Sequence, residues 1–142
     1  MMMEGLDRLR VLSEREPFAL RMGMQLTALE EGYARVEMTC TPEFGNFFGT
    51  VHGGAIFSLI DEAFGAAANS CGMVSVALSV NVSYLRPANT SDRLYAEASE
   101  VSRSRRISTY LIQVKDESGK LIANCHAMAF IKGDPLPSPS DG

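Results

Sequence analysis

The chain holds 142 residues, the size of one domain, with 46% apolar and 21% charged side chains. Its 17 acidic and 13 basic groups give a net charge of −4, which argues against a general nucleic-acid-coating role. No run of about 18 uncharged apolar residues marks a membrane span. A chain this short has no room for a separate cofactor domain, so any active site is compact or borrows residues from a second copy.

Leu6, Leu9 and Leu12 recur at three-residue spacing and predict a short amphipathic helix over about residues 5–14. Ala34, Val36, Met38 and Cys40 alternate with polar residues as a half-buried strand does. Its hairpin partner is the stretch Met22 to Leu29, joined through Glu30-Glu31-Gly32. Residues 42–51 carry Gly45 and Gly49 and read as a loop. Residues 54–69 are apolar on nearly every side and predict a buried core helix, stopped by Cys71-Gly72. Four long strands follow: Val74–Leu85, Leu94–Ser102, Ile107–Lys115 and Leu121–Ile131, the last two joined through Asp116-Glu117-Ser118-Gly119. One helix apolar all round needs a sheet that curls about it, so the expected class is α+β, an antiparallel sheet around one long central helix. A single domain is expected over residues 1–133, with a flexible tail at 134–142 rich in Pro, Ser, Asp and Gly. Cys40, Cys71 and Cys125 form no metal-like pair and read as buried free thiols. With no apolar stretch of signal-peptide length at the N-terminus, a cytoplasmic location without membrane attachment is expected.

Two features of the helix are unlike ordinary core. Asp61 and Glu62 are its only charges, and adjacent helical residues point about 100° apart, so the two carboxyls cannot share one environment. Each is either ion-paired or hydrogen-bonded in the core, or faces a cleft or an interface. Before the helix, His52-Gly53-Gly54 puts two glycines where helix N–H groups have no internal partner. Such a donor stabilises the oxyanion formed when a carbonyl is attacked, although glycines also ease the entry of a loop into a packed helix. Gly53 and Asp61 are separated by about 12 Å at 1.5 Å per residue, too far for one carbonyl to touch both. If both act in one reaction, a second copy with an antiparallel helix brings its Asp61 to this chain's Gly53.

The run Asn46-Phe-Phe-Gly-Thr-Val-His52-Gly53-Gly54, with Phe57-Ser-Leu59-Ile-Asp61, resembles the signature of hotdog-fold acyl-CoA thioesterases of the phenylacetic-acid-pathway type. Asn81-Val-Ser-Tyr84-Leu-Arg86-Pro87, Ser104-Arg105-Arg106 and Asp116 to Ala123 extend the likeness across about residues 20–131. The resemblance implies hydrolysis of aryl-acetyl or medium-chain acyl-CoA to free acid and coenzyme A. It implies homodimers or dimers of dimers paired through edge strands, with sites at the interface. Gly53 would supply the oxyanion N–H, and the partner's Asp61 would be the nucleophile or the general base, since members of the family differ. Asn46 and His52 would orient the thioester or the water, with Gly54, Phe57, Glu62, Arg105 and Arg106 contacting substrate. No metal or prosthetic group is implied, because coenzyme A arrives with the substrate. Gly65 and Ala77 stand where some relatives carry hydroxyl residues, leaving Ser58, Ser79 or Glu62 as substitutes. Phe44, Phe47, Phe48 and Phe64 are candidates for an acyl pocket or for core. The alternatives are a non-catalytic acyl-CoA-binding module and a hotdog 3-hydroxyacyl thioester dehydratase or hydratase.

Overall fold

Period-two alternation of apolar residues builds one antiparallel six-stranded sheet in the computed structural model, which describes residues 5–139. In chain order the elements are α1 (Gly5–Glu14), α2 (Pro17–Met22), β1 (Met24–Glu30), β2 (Tyr33–Thr39), a 3₁₀ turn (Pro42–Phe44), α3 (Gly53–Asn69), β3 (Met73–Tyr84), β4 (Arg93–Arg103), β5 (Ile107–Asp116) and β6 (Leu121–Pro135). The strand order is β1-β2-β4-β5-β6-β3, so β1 and β3 are the edges. Val36 pairs with Ala96 and Ala96 with Val114, and these buried side chains, with Met38, Leu94, Ala98 and Ile112, form the face that receives α3. At the β5–β6 turn the Asp116 carboxylate accepts the N–H groups of Ser118 and Lys120, both at 3.0 Å. Gly119 takes φ +86 there, a conformation that a side chain would strain.

The long helix is buried on most of its surface but not all round. Ile56, Leu59, Ile60, Ala63, Phe64 and Ala67 are in the core, whereas Gly54, Phe57 and Asp61 are exposed and Ser58, Glu62 and Gly65 half-buried. These positions fall three or four apart, so they make one stripe along α3 that this chain leaves uncovered. The sequence expectation of a helix enclosed on every side is corrected accordingly. Small and apolar residues on the stripe look like core when no partner surface is specified.

Three further points depart from the sequence reading. α2 has only six residues, under two turns and too few for a recurring apolar pattern; its local signals are Pro17 in the first turn and Gly23 at φ +69 closing it. Cys40 and Cys125 are buried, but Cys71 is only partly so, at the end of α3. The expected flexible tail at 134–142 is also corrected. β6 runs on to Pro135, Leu136 is buried, and its N–H donates to the Gly72 carbonyl at 3.3 Å. Arg8 Nη1 donates to the Leu136 carbonyl at 3.4 Å and Arg15 Nη1 to that of Pro139 at 2.9 Å. Composition alone registers the Pro and Ser of this segment but not Arg8 of α1 and Arg15 just after it, which hold it; residues 140–142 lie outside the described residues. Among the described residues no helix is long and apolar enough to cross a membrane.

Leu136→Ala is expected to cost about 2 kcal/mol, the low end for a buried Leu truncation, in urea unfolding. An unchanged midpoint and slope would mean that this segment is not packed in solution.

Candidate active site

The loop before α3 is built around one amide side chain. Asn46 Oδ1 accepts the N–H groups of Phe48 at 2.9 Å and Thr50 at 3.1 Å, and its Nδ2 donates to Thr50 Oγ1 at 3.0 Å. Val51 N–H donates to the Ala88 carbonyl at 2.9 Å and His52 N–H to that of Phe44 at 2.7 Å, which fixes where the helix begins. Asn46 thus spends its polar atoms on the loop. The loop tip leaves Phe47 and Phe48 exposed, with ring centroids 4.3 Å apart, while Phe44 is half-buried.

His52 is the N-cap of α3, with φ −61 and ψ 137, and its Nδ1 accepts the Gly54 N–H at 2.8 Å. The N–H groups of Ala55 and Ile56 both donate to the His52 carbonyl, at 2.9 and 3.3 Å. Gly53 N–H is left without a partner among the described residues. The two glycines therefore differ in purpose. A Cβ on Gly54 would stand 3.0 Å from His52 Nδ1 and crowd the cap, whereas one on Gly53 would meet only the Tyr84 ring, at an ordinary 3.5 Å. Tyr84 also donates its hydroxyl to the Gly53 carbonyl at 3.3 Å. Gly53 lines a cleft of about 300 Å³ with Asn46, Ile56, Tyr84, Leu85 and Arg86.

A second cleft, of about 320 Å³, surrounds the two acids of α3. Ser13 and Glu16 reach it from the α1–α2 corner, Gly65 and Asn69 from α3, and Ser75 to Ala77 from β3. Phe64 closes its inner wall, packed edge-on against Tyr110 with centroids 5.5 Å apart, so its role is core. The Asp61 carboxylate accepts no hydrogen bond and makes no ion pair among the described residues. Surrounding protein and the nearby Glu16 charge raise its pKa. Glu62 is raised well above the usual carboxylate range, first by burial, then by a hydrogen bond to Glu16 and by the Glu16 and Asp61 charges. Burial and the two neighbouring carboxyls therefore favour the protonated form of Glu62. Asp61 is the carboxylate of the two that is exposed and without a partner among the described residues. Among the described residues no group of His, Cys, Asp and Glu side chains is spaced to hold a metal ion.

The structure keeps the two halves of the predicted constellation apart. Gly53 and Asp61 line different clefts, eight positions and about 12 Å apart along α3. The arginine turn is farther still. Arg106 carbonyl accepts from Ile131 N–H at 2.8 Å, and Ile131 pairs with Ser75, so Arg105 and Arg106 sit at the C-terminal end of α3, away from Gly53. Both are exposed, while their neighbour Arg103 pairs with Glu100 at 2.6 Å. Sequence reasoning missed Ser13 and Glu16, whose place beside Asp61 depends on the unrecognised α2. It also missed Tyr84 as the neighbour of Gly53.

Residues 48–123, more than half of the chain, match the thioesterase superfamily. The chain belongs to this family. The thioesterase is 34% identical over 110 residues to the acyl-coenzyme A thioesterase PaaI of Escherichia coli, a match covering 78% of this chain and 79% of that one. The solved structure of the E. coli PaaI protein from the phenylacetic acid degradation operon superposes with a TM-score of 0.90 at 28% identity, covering 94% of this chain and 96% of that one. The TT0310 protein of Thermus thermophilus gives a TM-score of 0.79 at 38% identity, over 82% of this chain and 98% of the other. The sheet with one long helix across it is the hotdog fold, and the enzyme is a thioester hydrolase.

Because the pKa of Glu62 is raised in the folded thioesterase, the folded state binds more protons than the unfolded chain above about pH 4.5, and this contribution to stability falls as pH rises from there. Glu62→Gln, which keeps a donor for Glu16 and cannot ionise, is expected to raise Tm at pH 8 and to leave it unchanged at pH 4. Equal Tm values for variant and wild type at both pH values would contradict a protonated Glu62.

Proposed function

We propose that this thioesterase hydrolyses aryl-acetyl or medium-chain acyl-CoA esters to free acid and coenzyme A, at sites that two copies share. One observation carries the reading: α3 holds an unpartnered N–H at Gly53 and an unpartnered carboxylate at Asp61, each in its own cleft, about 12 Å apart. An antiparallel second α3 sets the partner's Asp61 opposite this chain's Gly53 and yields two equivalent sites. The uncovered stripe of Gly54, Phe57 and Asp61 supports that packing, as does edge strand β3, with Val76 and Leu78 exposed at 44% and 55%. Pairing of such dimers into tetramers is consistent with the same reading.

In the proposed reaction the thioester oxygen accepts the Gly53 N–H, which points along a helix N-terminus and so favours the developing negative charge. Asp61 of the second copy either takes a proton from the attacking water or attacks the carbonyl itself. In the first case a C–O bond forms, the C–S bond breaks, and the proton passes from Asp61 to the thiolate sulfur. In the second an anhydride with Asp61 forms as the thiolate leaves, and water then cleaves it. Single turnover in ¹⁸O-water separates the two, because only the second route can label the Asp61 carboxylate. His52 sets the free donor by occupying Gly54 N–H, and Asn46 holds the loop. Arg105 and Arg106 are suited to the phosphates of coenzyme A, since guanidinium pairs with phosphate in bidentate fashion.

Asp61→Asn is expected to abolish thiol release from acyl-CoA with the assembly intact. Gly53→Pro tests the donor: proline fits the first helical position after the extended His52, and it replaces the N–H by a ring carbon. Its turnover should fall about 10²- to 10³-fold with little change in Tm. Mixed assemblies of the two variants should regain activity, since one of the two sites then pairs an intact Gly53 with an intact Asp61. Silence in verified mixed dimers would point to sites within single chains.

Glu16→Gln removes the charge that raises Asp61 and should move the acidic limb of kcat/KM to lower pH. An unmoved limb would take Glu16 out of the electrostatics of the site.

A further inference from the structure

Glu62 stands between two cavities, and only one of them contains Asp61. The other, of about 360 Å³, lies between α2 and the β1–β2 hairpin. Ala19 and Leu20 line it from α2, Met24 and Leu26 from β1, and Val36 from β2. Ser13 and Glu62 line this cavity and the Asp61 cleft alike, so the two meet at those side chains.

Building on the thioesterase reading above, we propose that this second cavity is the subsite for the distal part of a linear alkyl acyl group, which passes Asp61 and turns at Glu62. Three observations lead there. The cavity adjoins the cleft of the reacting carboxylate, with the Ser13 and Glu62 side chains as the wall that the two have in common. Ala19, Met24 and Val36 are buried and Leu26 half-buried, which gives an apolar side to a cavity that the exposed Glu14, Gln25 and Thr27 also line, with Leu20 exposed at the mouth. The groups at the junction are Ser13, Glu16 and Glu62, and burial favours the neutral form of Glu62, which lowers the charge that a hydrocarbon tail must pass. An aryl-acetyl group is short and rigid beyond its methylene and ends in the first cleft. A saturated chain has a staggered torsion at every carbon and bends from one cavity into the next. Each methylene buried in the second cavity contributes roughly fourfold to binding. The selectivity this predicts is for chain length: little gain while the tail fills the Asp61 cleft, then a steep rise once it passes Glu62.

The test is thiol release by the full-length chain across saturated acyl-CoA esters from butyryl to dodecanoyl, with phenylacetyl-CoA alongside. Leu20→Trp and Leu26→Trp fill the second cavity from different elements, and neither residue belongs to the reacting groups. In each variant kcat/KM for decanoyl-CoA is expected to fall at least tenfold, while values for butyryl-CoA and phenylacetyl-CoA stay within twofold of wild type. Equal losses on butyryl-CoA and decanoyl-CoA, or no loss on decanoyl-CoA in a variant with wild-type Tm, would overturn the subsite. Calorimetry of decanoyl-CoA against coenzyme A on Asp61→Asn, with and without each tryptophan, reads the subsite independently of turnover. There the tryptophans should weaken decanoyl-CoA binding and leave coenzyme A binding unchanged. A wild-type chain that releases thiol from no ester refutes the proposed reaction instead; binding unaffected by both tryptophans refutes the subsite.

Discussion

α3 is held across the sheet by the burial of Ile56, Leu59, Ile60 and Phe64. Each such side chain contributes about 1.5–3 kcal/mol, more than the roughly 1 kcal/mol of a helix cap. Burial therefore sets the axis of the helix, and the cap at its start adjusts to that axis. The adjustment matters chemically. With the axis fixed, His52 takes the Gly54 N–H and its own carbonyl takes those of Ala55 and Ile56, so one donor, Gly53 N–H, remains free. A packing constraint thereby selects which backbone group faces the cleft beside Tyr84.

The same axis limits what one chain can do alone. A straight helix separates its N-terminus from a residue two turns on by a fixed rise, and no rotamer of Asp61 closes about 12 Å. The uncovered stripe and the apolar edge strand β3 lie on the surfaces that a second copy would use. In the proposed enzyme, assembly and chemistry are thus one problem, because the surface that leaves the monomer incomplete is the surface that carries Asp61. The carboxyls next to it divide the work by environment. Glu62 is half-buried beside Glu16, which favours its protonated form, while Asp61 is exposed and has no partner among the described residues. That is the outcome expected when neighbours on a helix point about 100° apart.

The α1–α2 corner connects distant parts of the chain. It brings Ser13 and Glu16 to the acids of α3, and Arg15 beside it holds the C-terminal segment at Pro139. The cavity wall facing β1 and β2 therefore depends on contacts between both ends of the chain. Neither end shows this locally: α2, at under two turns, is too short to repeat an apolar pattern, and Pro139 is surrounded by residues that composition assigns to a loose tail.

By itself the sequence determined the fold class, the long central helix and four strands after it, because apolar periodicity is a local property of consecutive residues. It also carried the spacing that separates Gly53 from Asp61, since helical rise is the same in every helix. Only the tertiary structure decided which N–H stays free, which acid keeps a proton, and which stripe of α3 is left bare. Those outcomes depend on residues far apart in the chain, such as Glu16 against Glu62 and Tyr84 against Gly53, meeting within a few ångströms. Hydrogen bonds and charge interactions are short-ranged in this sense, and no pattern along the chain encodes them until the core has set the distances.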